Sequence, residues 1–465
     1  MSKNRKIGFV SLGCPKNTVD SEVMIGHLGE AGAELTTRPE EADVIVVNTC
    51  GFIDAARRES IDAILEAVQH KTGGRCRRVV VAGCMVQRYG TELAREIPEV
   101  DAFVDLDSLA SIATATGLAA GGASLGSGLP ALPTHPGPVG HMNPGPRPAT
   151  YIHDAATPRQ RITPSWTAYI KIAEGCDNTC AFCAIPRFRG AFRSRPLADI
   201  EAEANRLAAE GVREINLIAQ DSTAYGSDIG MTQGPATLLT ALSGIDGIRW
   251  VRLFYVYPNK LTERLLEVMG EKETVARYVD IPLQHASRDV LARMRRGGSG
   301  ETHLRLLERI RRAVPGVSIR TTFIVGFPGE TDADHRQVLD LAREARFDHL
   351  GVFTYSHEDH TPAADLVDDV PGEVKDERQK ELMKLQEGIA DEIQKRRLGK
   401  TFPVLCEGAC DETDHLLQGR LEGQAPDVDG RVLINDGHAR PGTFVNVRIT
   451  GTYPFDLIGR VVGPA

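Results

Sequence analysis

The sequence has no long hydrophobic run, no excess of positive charge and few aromatic residues, and the first two of these features each argue against a class of protein. No stretch of the 465 residues approaches the roughly 18 apolar residues of a membrane-spanning helix. Lysine and arginine number 54 against 63 aspartate and glutamate, a net charge of −9, which disfavours a general nucleic-acid binder because neutralising phosphates needs clustered basic residues. Aromatic residues make up 5% of the chain, within an ordinary composition for a soluble protein.

A secretory signal is also missing from the opening of the sequence. The segment MSKNRKIGFVSLGC reaches a polar, cysteine-bearing turn too early for a signal peptide, so we predict a cytoplasmic protein. Its nine cysteines are an odd number spread over a long chain, which argues against a disulfide framework. Metal binding or thiol chemistry is the better expectation.

Residues 5–118 alternate short apolar runs with helical patterns, which is typical of a parallel sheet covered by helices on both faces. Three predicted strands of this α/β domain end on a cysteine, at Cys14, Cys50 and Cys84. Ligands of open α/β sheets bind outside the carboxyl ends of the strands. We therefore expect the three cysteines to converge on one site, although 36 and 34 residues separate them along the chain.

The rest of the chain predicts a linker, a barrel and a small β domain. Residues 119–164 form the predicted linker, and 14 of the 30 residues from 121 to 150 are glycine or proline. Residues 165–396 repeat a strand-then-helix unit six times, which indicates a partial (βα)6 barrel with its chemistry in the loops after the strands. Residues 397–463 carry short strand patterns with DG and PG turns, typical of an all-β domain.

The segment AEGCDNTCAFCAIPR, residues 173–187, places three thiols in one loop: Cys176, Cys180 and Cys183. A structural zinc site needs four protein ligands, and no histidine lies close to this CxxxCxxC pattern. Three thiolates suit a 4Fe-4S cluster that keeps one iron open for a substrate or cofactor. Zinc and a chance grouping of reduced cysteines remain the alternatives at this point.

This loop resembles the signature of the radical S-adenosylmethionine (SAM) enzymes, including an aromatic residue, here Phe182, before the third cysteine. The resemblance implies that the open iron chelates SAM, whose reductive cleavage yields a 5′-deoxyadenosyl radical. Gly326, Gly329 and Glu330, in the segment GFPGE after the fifth barrel strand, are further candidates to approach the cofactor. A plain turn is the alternative for these three residues.

Over nearly its whole length the chain resembles the methylthiotransferases, which join an amino-terminal three-cysteine domain, a radical SAM barrel and a carboxy-terminal TRAM domain. The resemblance implies two 4Fe-4S clusters, one on each set of three cysteines. It also implies two SAM molecules per turnover, a sulfide or polysulfide sulfur donor and an electron-donor protein such as flavodoxin or ferredoxin. In the implied reaction the radical takes hydrogen from a substrate carbon, which then attacks a methylated sulfur on the amino-terminal cluster.

One branch of that family modifies an aspartate of a small-subunit ribosomal protein, and another modifies an adenosine of transfer RNA. Residues 401–465 hold five Arg, no Lys and nine Asp or Glu, so this domain suits a basic protein better than an RNA backbone. The segments CPKNTVDSE, EGCDNTCAFCAIPRFRGAFRSRP, DIPLQHAS and FTYSHEDHTPA look like the ribosomal-protein branch. That branch is the leading prediction, the transfer-RNA enzyme is second, and a non-enzymatic metal-binding module is third.

Polar residues at predicted strand ends are candidates for catalysis or substrate contact, with a structural hydrogen bond as the alternative for each. They are Gln220, Asp221, Gln284 and His285. The arginines that follow the cysteine loop are candidates to bind carboxylates of cofactor or substrate, with a solvated face as the alternative. They are Arg187, Arg189, Arg193 and Arg195.

Three further cysteines have no clear partners in the sequence. We expect Cys406 and Cys410 to be buried residues of the β domain and Cys76 to be incidental.

Overall fold

The computed structural model describes residues 5–118 and 148–465, which fall into two units. The first unit comprises the described part of residues 1–162 with 174–178 and 184–193, and the second comprises 163–173, 179–183 and 194–465. Residues 119–147, most of the predicted linker, lie outside the described residues.

The amino-terminal part of the first unit is a five-stranded sheet with helices. The strands are β1 (Lys6–Ser11), β2 (Glu34–Thr36), β3 (Val44–Thr49), β4 (Arg78–Gly83) and β5 (Ala102–Val104). The helices are α1 (Pro15–Glu30), α2 (Asp54–Gly73), α3 (Cys84–Glu96) and α4 (Ile112–Ala115). The strand order is β2-β1-β3-β4-β5 and every pair is parallel, which confirms the predicted parallel α/β domain.

The central strand β3 has the sequence VIVVNT, and all six of its residues are buried. β-Branched residues suit a pleated strand, and burial on both faces removes the usual alternation with polar residues. Ile45 and Val47 pack into one apolar cluster, whereas Val44 and Val46 pack into another. The sheet therefore has a hydrophobic layer on each face.

Residues 165–396 contain eight strands and eight α-helices. In chain order these are β6 (Thr167–Lys171), β7 (Ala173–Glu174), α5 (Ile185–Phe188), β8 (Arg193–Ser194), α6 (Leu197–Ala209), β9 (Glu214–Ile218), α7 (Gly234–Leu242), β10 (Trp250–Leu253), α8 (Glu263–Glu271), β11 (Tyr278–Asp280), α9 (Arg288–Arg293), α10 (Gly300–Ala313), β12 (Ser318–Val325), α11 (Asp332–Ala345), β13 (His349–Thr354) and α12 (Gly372–Lys395).

All six strands predicted for the barrel are present. They form two parallel three-stranded sheets, β10-β9-β6 and β11-β12-β13, and a single parallel bridge joins Val251 to Val275. Local sequence sets several helix starts: α10 and α11 each begin with a capping box, Ser299 with Thr302 and Thr331 with Asp334. The loops after these strands therefore share one end of the sheets, as the strand-then-helix repeat predicts.

The carboxy-terminal residues form a closed barrel, as predicted for a small all-β domain. Its strands are β14 (Thr401–Cys410), β15 (Thr413–Arg420), β16 (Val432–Asp436), β17 (Phe444–Thr452) and β18 (Leu457–Pro464), in the order β14-β15-β16-β18-β17. Within the second unit, buried Glu214 on β9 pairs with Arg420 on β15 and Arg252 on β10. Among the helices of the described ranges, none combines the length and apolar character needed to span a membrane.

Candidate functional site

Three cysteines of the first unit stand just beyond neighbouring strands. Cys14 caps α1 after β1, Cys50 follows the last residue of β3, and Cys84 opens α3 directly after β4. Since β1, β3 and β4 are adjacent and parallel, all three cysteines lie at the same edge of the sheet.

Two glycines allow these strand ends to approach each other. Gly13 has a φ of 92°, and a Cβ at that position would stand 2.9 Å from Cβ of Cys50. Gly83 has a φ of 95°, and its Cβ would lie 2.2 Å from Oδ1 of Asn48 and 2.7 Å from the carbonyl oxygen of Thr49. Larger residues would therefore push apart the segments that carry the cysteines.

Two buried asparagines join the same strand ends. Asn17 Nδ2 donates to the carbonyl oxygens of Leu12 and Thr49, at 2.7 and 3.0 Å. Asn48 Nδ2 donates to the carbonyl oxygen of Asn17 at 3.0 Å and to Ser21 Oγ at 2.8 Å. These bonds hold the backbone of the cysteine segments in place without using the sulfur atoms.

The three thiols differ in acidity. Burial raises the pKa of Cys50, and the nearby Cys14 raises it further. Burial also raises the pKa of Cys84, to about 12, although the charge of Arg189 opposes this shift. At Cys14 burial acts in the same direction, but Lys16, Arg189 and two backbone N–H groups outweigh it and lower the pKa. The thiols are therefore close enough to influence one another.

In metal-free protein at pH 8 we expect iodoacetamide to alkylate Cys14 much faster than Cys84. Cys14 is half-buried and has a lowered pKa. With a pKa of about 12, only about one Cys84 thiol in ten thousand is ionised at that pH. Mass spectrometry of the labelled peptides over time measures both rates, and the urea-unfolded chain is the control in which they converge. Equal rates in the folded protein would contradict this prediction.

The donor set of this edge is three thiols, a ligand type that iron-sulfur clusters use. Within residues 5–118 and 148–465, no group of three or more Cys, His, Asp or Glu is arranged to hold one ion. A zinc ion would need four ligands at about 2.0 to 2.3 Å. A 4Fe-4S cluster instead gives each thiolate its own iron, so three cysteines can be spaced more widely and still bind it.

The second cysteine loop divides between the two units. Cys176 belongs to the first unit, where it is buried and its N–H donates to the carbonyl oxygen of Gly190 at 3.0 Å. Cys180 and Cys183 belong to the second unit. There the N–H of Ala181 donates to the carbonyl oxygen of Met294, and the carbonyl oxygen of Ala181 accepts from the N–H of Ala363, at 2.9 Å each.

A buried arginine and a tyrosine contact Cys180. Arg296 Nη1 lies 3.6 Å from its Sγ, and Nη2 of the same side chain donates to the carbonyl oxygen of Pro282 at 2.7 Å. The Tyr257 ring stacks 4.1 Å from the guanidinium, and its hydroxyl interacts with Cys180. Sequence reasoning missed Arg296 and Tyr257, because Arg296 is 116 residues from Cys180 and its surrounding segment has no recognisable pattern.

Phe182 and the GFPGE segment lie in the second unit. Phe182 is half-buried against a cluster that includes Phe327 and Tyr355. Gly326 and Gly329 both have a φ of 74°. Oε2 of buried Glu330 accepts the N–H groups of Gly326 at 2.5 Å and Phe327 at 3.0 Å. Glu330 thus folds its own loop around two residues in left-handed conformation.

The four polar strand-end candidates have different surroundings. Asp221 is buried and accepts from Lys260 Nζ at 2.7 Å. His285 is fully buried; its Nδ1 accepts from the N–H of Ser287 at 3.0 Å, and its Nε2 lies 3.7 Å from Glu330. Gln220 and Gln284 are half-buried.

Two strand-end residues adopt left-handed backbone conformations. Gln284 has a φ of 72°, and Tyr255, after β10, has a φ of 59°. Such conformations are costly for residues other than glycine and concentrate at functional sites. Tyr255 was not identified from the sequence, because the residue type does not reveal a left-handed backbone conformation.

The arginines after the cysteine loop bind groups of the protein itself. Arg189 and Arg195 are buried and pair with carboxylates of the chain, Arg189 with Glu174 and Arg195 with Glu203. Arg193 donates to backbone carbonyl oxygens, whereas Arg187 is exposed. Two of the four arginines thus pair with carboxylates of the protein itself, and binding of a cofactor or substrate carboxylate by any of them stays a prediction.

One cavity of about 520 Å³ in the second unit lies away from these groups. Its lining includes Trp250 and Ser318, the first residues of β10 and β12, and Leu421 of the carboxy-terminal domain. Chemistry in barrel enzymes takes place at the opposite, carboxyl ends of the strands. This cavity is therefore not the candidate active site.

Three family models match the chain. Residues 6–105 match the uncharacterized protein family UPF0004, residues 170–342 match the radical SAM superfamily, and residues 398–462 match the TRAM domain. Together they cover the amino-terminal sheet, most of the barrel and the carboxy-terminal domain.

Curated relatives match nearly the whole chain. A ribosomal protein uS12 methylthiotransferase RimO from Solibacter usitatus is 47% identical over 99% of this chain and 95% of its own length. Proteins with the same name from Myxococcus xanthus and Geobacter sulfurreducens are 46% and 45% identical, each over 98% of this chain and over 92% and 98% of their own lengths.

A solved structure shares the fold at low sequence identity. The radical SAM methyltransferase TsrM from Kitasatospora setae, solved with cobalamin and a [4Fe-4S] cluster bound, has a TM-score of 0.54 and 16% identity. The match covers 78% of this chain and 77% of that protein. At this identity the likeness describes the fold alone.

Proposed function

The chain belongs to the RimO family of ribosomal protein uS12 methylthiotransferases, and we propose that it replaces a C–H bond on the β-carbon of a uS12 aspartate by C–S–CH3. It is a transferase whose family uses 4Fe-4S clusters and SAM. The observation that carries the proposal is the placement of Cys14, Cys50 and Cys84 after three neighbouring parallel strands, in a chain with a second three-cysteine loop.

Each set of three cysteines would hold one cluster. The first set is Cys14, Cys50 and Cys84, and the second is Cys176, Cys180 and Cys183. When bound, the clusters and SAM supply a radical that takes hydrogen from the substrate carbon and a methylated sulfur that bonds to it. The protein holds the thiols, shields them from water and presents the substrate.

Phe182, Gly326, Gly329 and Glu330 form the proposed cofactor side of the second unit. The two glycines permit the left-handed turn, and a Cβ at Gly326 would collide with the side chain of Lys375. Glu330 keeps the turn folded through its bonds to the N–H groups of Gly326 and Phe327. In this proposal Glu330 acts as a positioning residue because its carboxylate is already occupied.

The strand-end polar residues receive separate roles. Gln284 and Tyr255 are proposed to contact the substrate, since each holds a strained backbone at the carboxyl end of a strand. Asp221 and His285 are proposed to position neighbouring loops, because Asp221 binds Lys260 and His285 binds the backbone of Ser287.

The carboxy-terminal domain suits a basic substrate. Residues 401–465 hold nine acidic residues and five arginines. Arg420 is buried between Glu214 and Glu407 and contributes no charge to the surface. The side chain of Asp429 is likewise buried, beside Arg320, so the excess of acidic residues in this domain remains, and it favours association with a basic ribosomal protein.

The proposed partners follow from the reaction. SAM cleavage needs an electron, for which an iron-sulfur or flavin electron carrier such as ferredoxin or flavodoxin is proposed. Since uS12 is a ribosomal protein, the proposed place of action is the cytoplasm.

We expect anaerobically reconstituted enzyme, given SAM, sulfide and a reductant, to modify purified uS12 and leave transfer RNA unchanged. Intact-mass analysis should show uS12 gaining one SCH3 group in place of one hydrogen, and peptide fragmentation should locate it on an aspartate. Transfer RNA from the parallel reaction, digested to nucleosides, is the control. A methylthio group on a nucleoside with none on uS12 would replace the proposal by the transfer-RNA alternative.

A further inference from the structure

Arg189 places its guanidinium against a cysteine sulfur inside the first unit. Its side chain is 2% exposed, and Nη2 lies 2.9 Å from Sγ of Cys84. The two atoms are within hydrogen-bond distance, and the donor is a charged N–H group. The proposed function makes Cys84 a cluster ligand and assigns no role to Arg189.

The position of this guanidinium is fixed by other contacts. Nη1 donates to both carboxylate oxygens of Glu174, at 3.0 and 2.9 Å. Nη2 also lies 3.1 Å from Asp20 Oδ2 and 3.4 Å from Asn17 Oδ1. The planar fork of arginine reaches all of these partners at once, which the single ammonium of lysine cannot do.

Charge balance explains why a buried arginine is tolerated at this place. Glu174 and Asp20 are nearly fully buried and pair with Arg189, which offsets the cost of removing the guanidinium from water. The group therefore remains charged and in place. Its Nη2 edge faces a sulfur that the proposed function places on a redox-active cluster.

A similar arrangement recurs at the second cysteine set, where Nη1 of buried Arg296 lies 3.6 Å from Cys180 Sγ. Each set thus has one sulfur that faces a buried guanidinium. Hydrogen bonds to ligand sulfurs, and nearby positive charge, stabilise the more negative, reduced state of an iron-sulfur cluster. The contact at Cys84 is the shorter of the two.

We propose that Arg189 is a positioning residue that sets the reduction potential of the cluster held by Cys14, Cys50 and Cys84. The inference rests on the proposed function, which supplies that ligand set. The N–H bond to Cys84 and the positive charge favour the state that has gained one electron. In the test below that electron comes from dithionite, and no bond is formed or broken.

The test isolates the first cluster. The triple variant Cys176→Ala/Cys180→Ala/Cys183→Ala, reconstituted anaerobically with iron and sulfide, is the background for Arg189→Gln and Arg189→Lys. Iron analysis measures cluster content, and a dithionite titration followed by electron paramagnetic resonance measures the midpoint potential. We expect a more negative midpoint in Arg189→Gln and an intermediate one in Arg189→Lys, which keeps the charge and loses the fork.

Arg195→Lys is the matched control. Arg195 is equally buried in the same stretch of chain, and its ion-pair partners are Asp199 and Glu203. Its replacement should leave the midpoint potential unchanged. If Arg189→Gln does not fold, Arg189→Gln/Glu174→Gln removes one charge of each sign and should show a smaller negative shift, because the net charge stays the same and only the N–H bond to Cys84 is lost.

The outcomes separate this inference from the function on which it rests. A background variant that folds but holds no iron would refute the first ligand set and hence the proposed function. A full cluster with the same midpoint in every Arg189 variant would overturn the role of Arg189 alone. Loss of iron from folded Arg189→Lys would overturn it too, because Arg189 would then hold the cluster and not set its potential.

Discussion

Replacement of Cys180 by alanine is expected to abolish both SAM cleavage and methylthiolation. Replacing a residue that only hydrogen-bonds to a metal ligand lowers metal affinity or activity roughly 10- to 100-fold. Removing one of only three ligands should lower activity by more than that. Cys84→Ala should instead retain SAM cleavage and lose only methyl-sulfur transfer, because Cys84 lies in the other set. Chromatography of 5′-deoxyadenosine and intact-mass analysis of uS12 measure the two activities separately.

Cys406→Ala is the control for these two variants. Cys406 is fully buried in the carboxy-terminal barrel, and its Sγ lies 3.8 Å from the carbonyl oxygen of Ala439. It therefore tests the effect of removing a buried thiol that belongs to neither set, and both activities should persist. If Cys84→Ala kept full methylthiolation, the strand-end cysteines would not be the sulfur-transferring site.

Replacement of Glu214 by glutamine is expected to destabilise the second unit by about 3 to 5 kcal/mol at pH 7, the usual cost of removing one partner from a buried ion pair. Glu214 is fully buried and pairs with Arg252 at 3.0 Å and Arg420 at 2.5 Å. The glutamine would remove the carboxylate that pairs with buried Arg252 and one of the two carboxylates that pair with Arg420, which would keep only Glu407. Urea unfolding followed by tryptophan fluorescence measures the effect, because both tryptophans, Trp166 and Trp250, lie in this unit.

This destabilisation should depend on pH in a defined direction. Burial opposes the charge of Glu214, but Arg420 and Arg252 lower its pKa in the folded state from 4.5 to about 2. A lowered folded pKa means that the stabilisation is complete above the ordinary value and is lost as the pH falls toward 2. The difference between the native protein and Glu214→Gln should therefore shrink below about pH 4.5.

Glu301→Gln is the control for the stability measurement. Glu301 forms an exposed pair with Arg305 on one face of α10, and such pairs contribute roughly 0.3 to 0.5 kcal/mol. A loss at Glu214 no larger than the loss at Glu301 would show that the buried pairs between β9, β10 and β15 do not stabilise the unit.

Much of the fold was predictable because strand identity is a local property. Runs such as VIVVNT and WVRL are apolar, rich in β-branched residues and bounded by turns, so they indicate buried strands without knowledge of the partners. The short strands β2 and β5 were not predicted. Each has three residues, which is too few for a periodic pattern to emerge.

The cysteine sets were predictable for a related reason. The carboxyl ends of parallel neighbours meet at one edge, so three strands ending on cysteine imply a common site before any distance is known. The spacing in CxxxCxxC is likewise local. The surroundings of those sulfurs were not predictable: Arg189 lies 105 residues from Cys84 and 169 from Asp20.

The sequence by itself determined most of the strands and helices, the position of the cysteines after predicted strands and the family. Only the tertiary structure decided what each arginine of the segment PRFRGAFRSR does. Arg187 is exposed, the guanidinium of Arg189 contacts a cysteine sulfur, and Arg195 forms a buried ion pair with Glu203. The physical reason is that a charged side chain is buried only where long-range packing supplies partners that offset its desolvation, and those partners are distant in the chain.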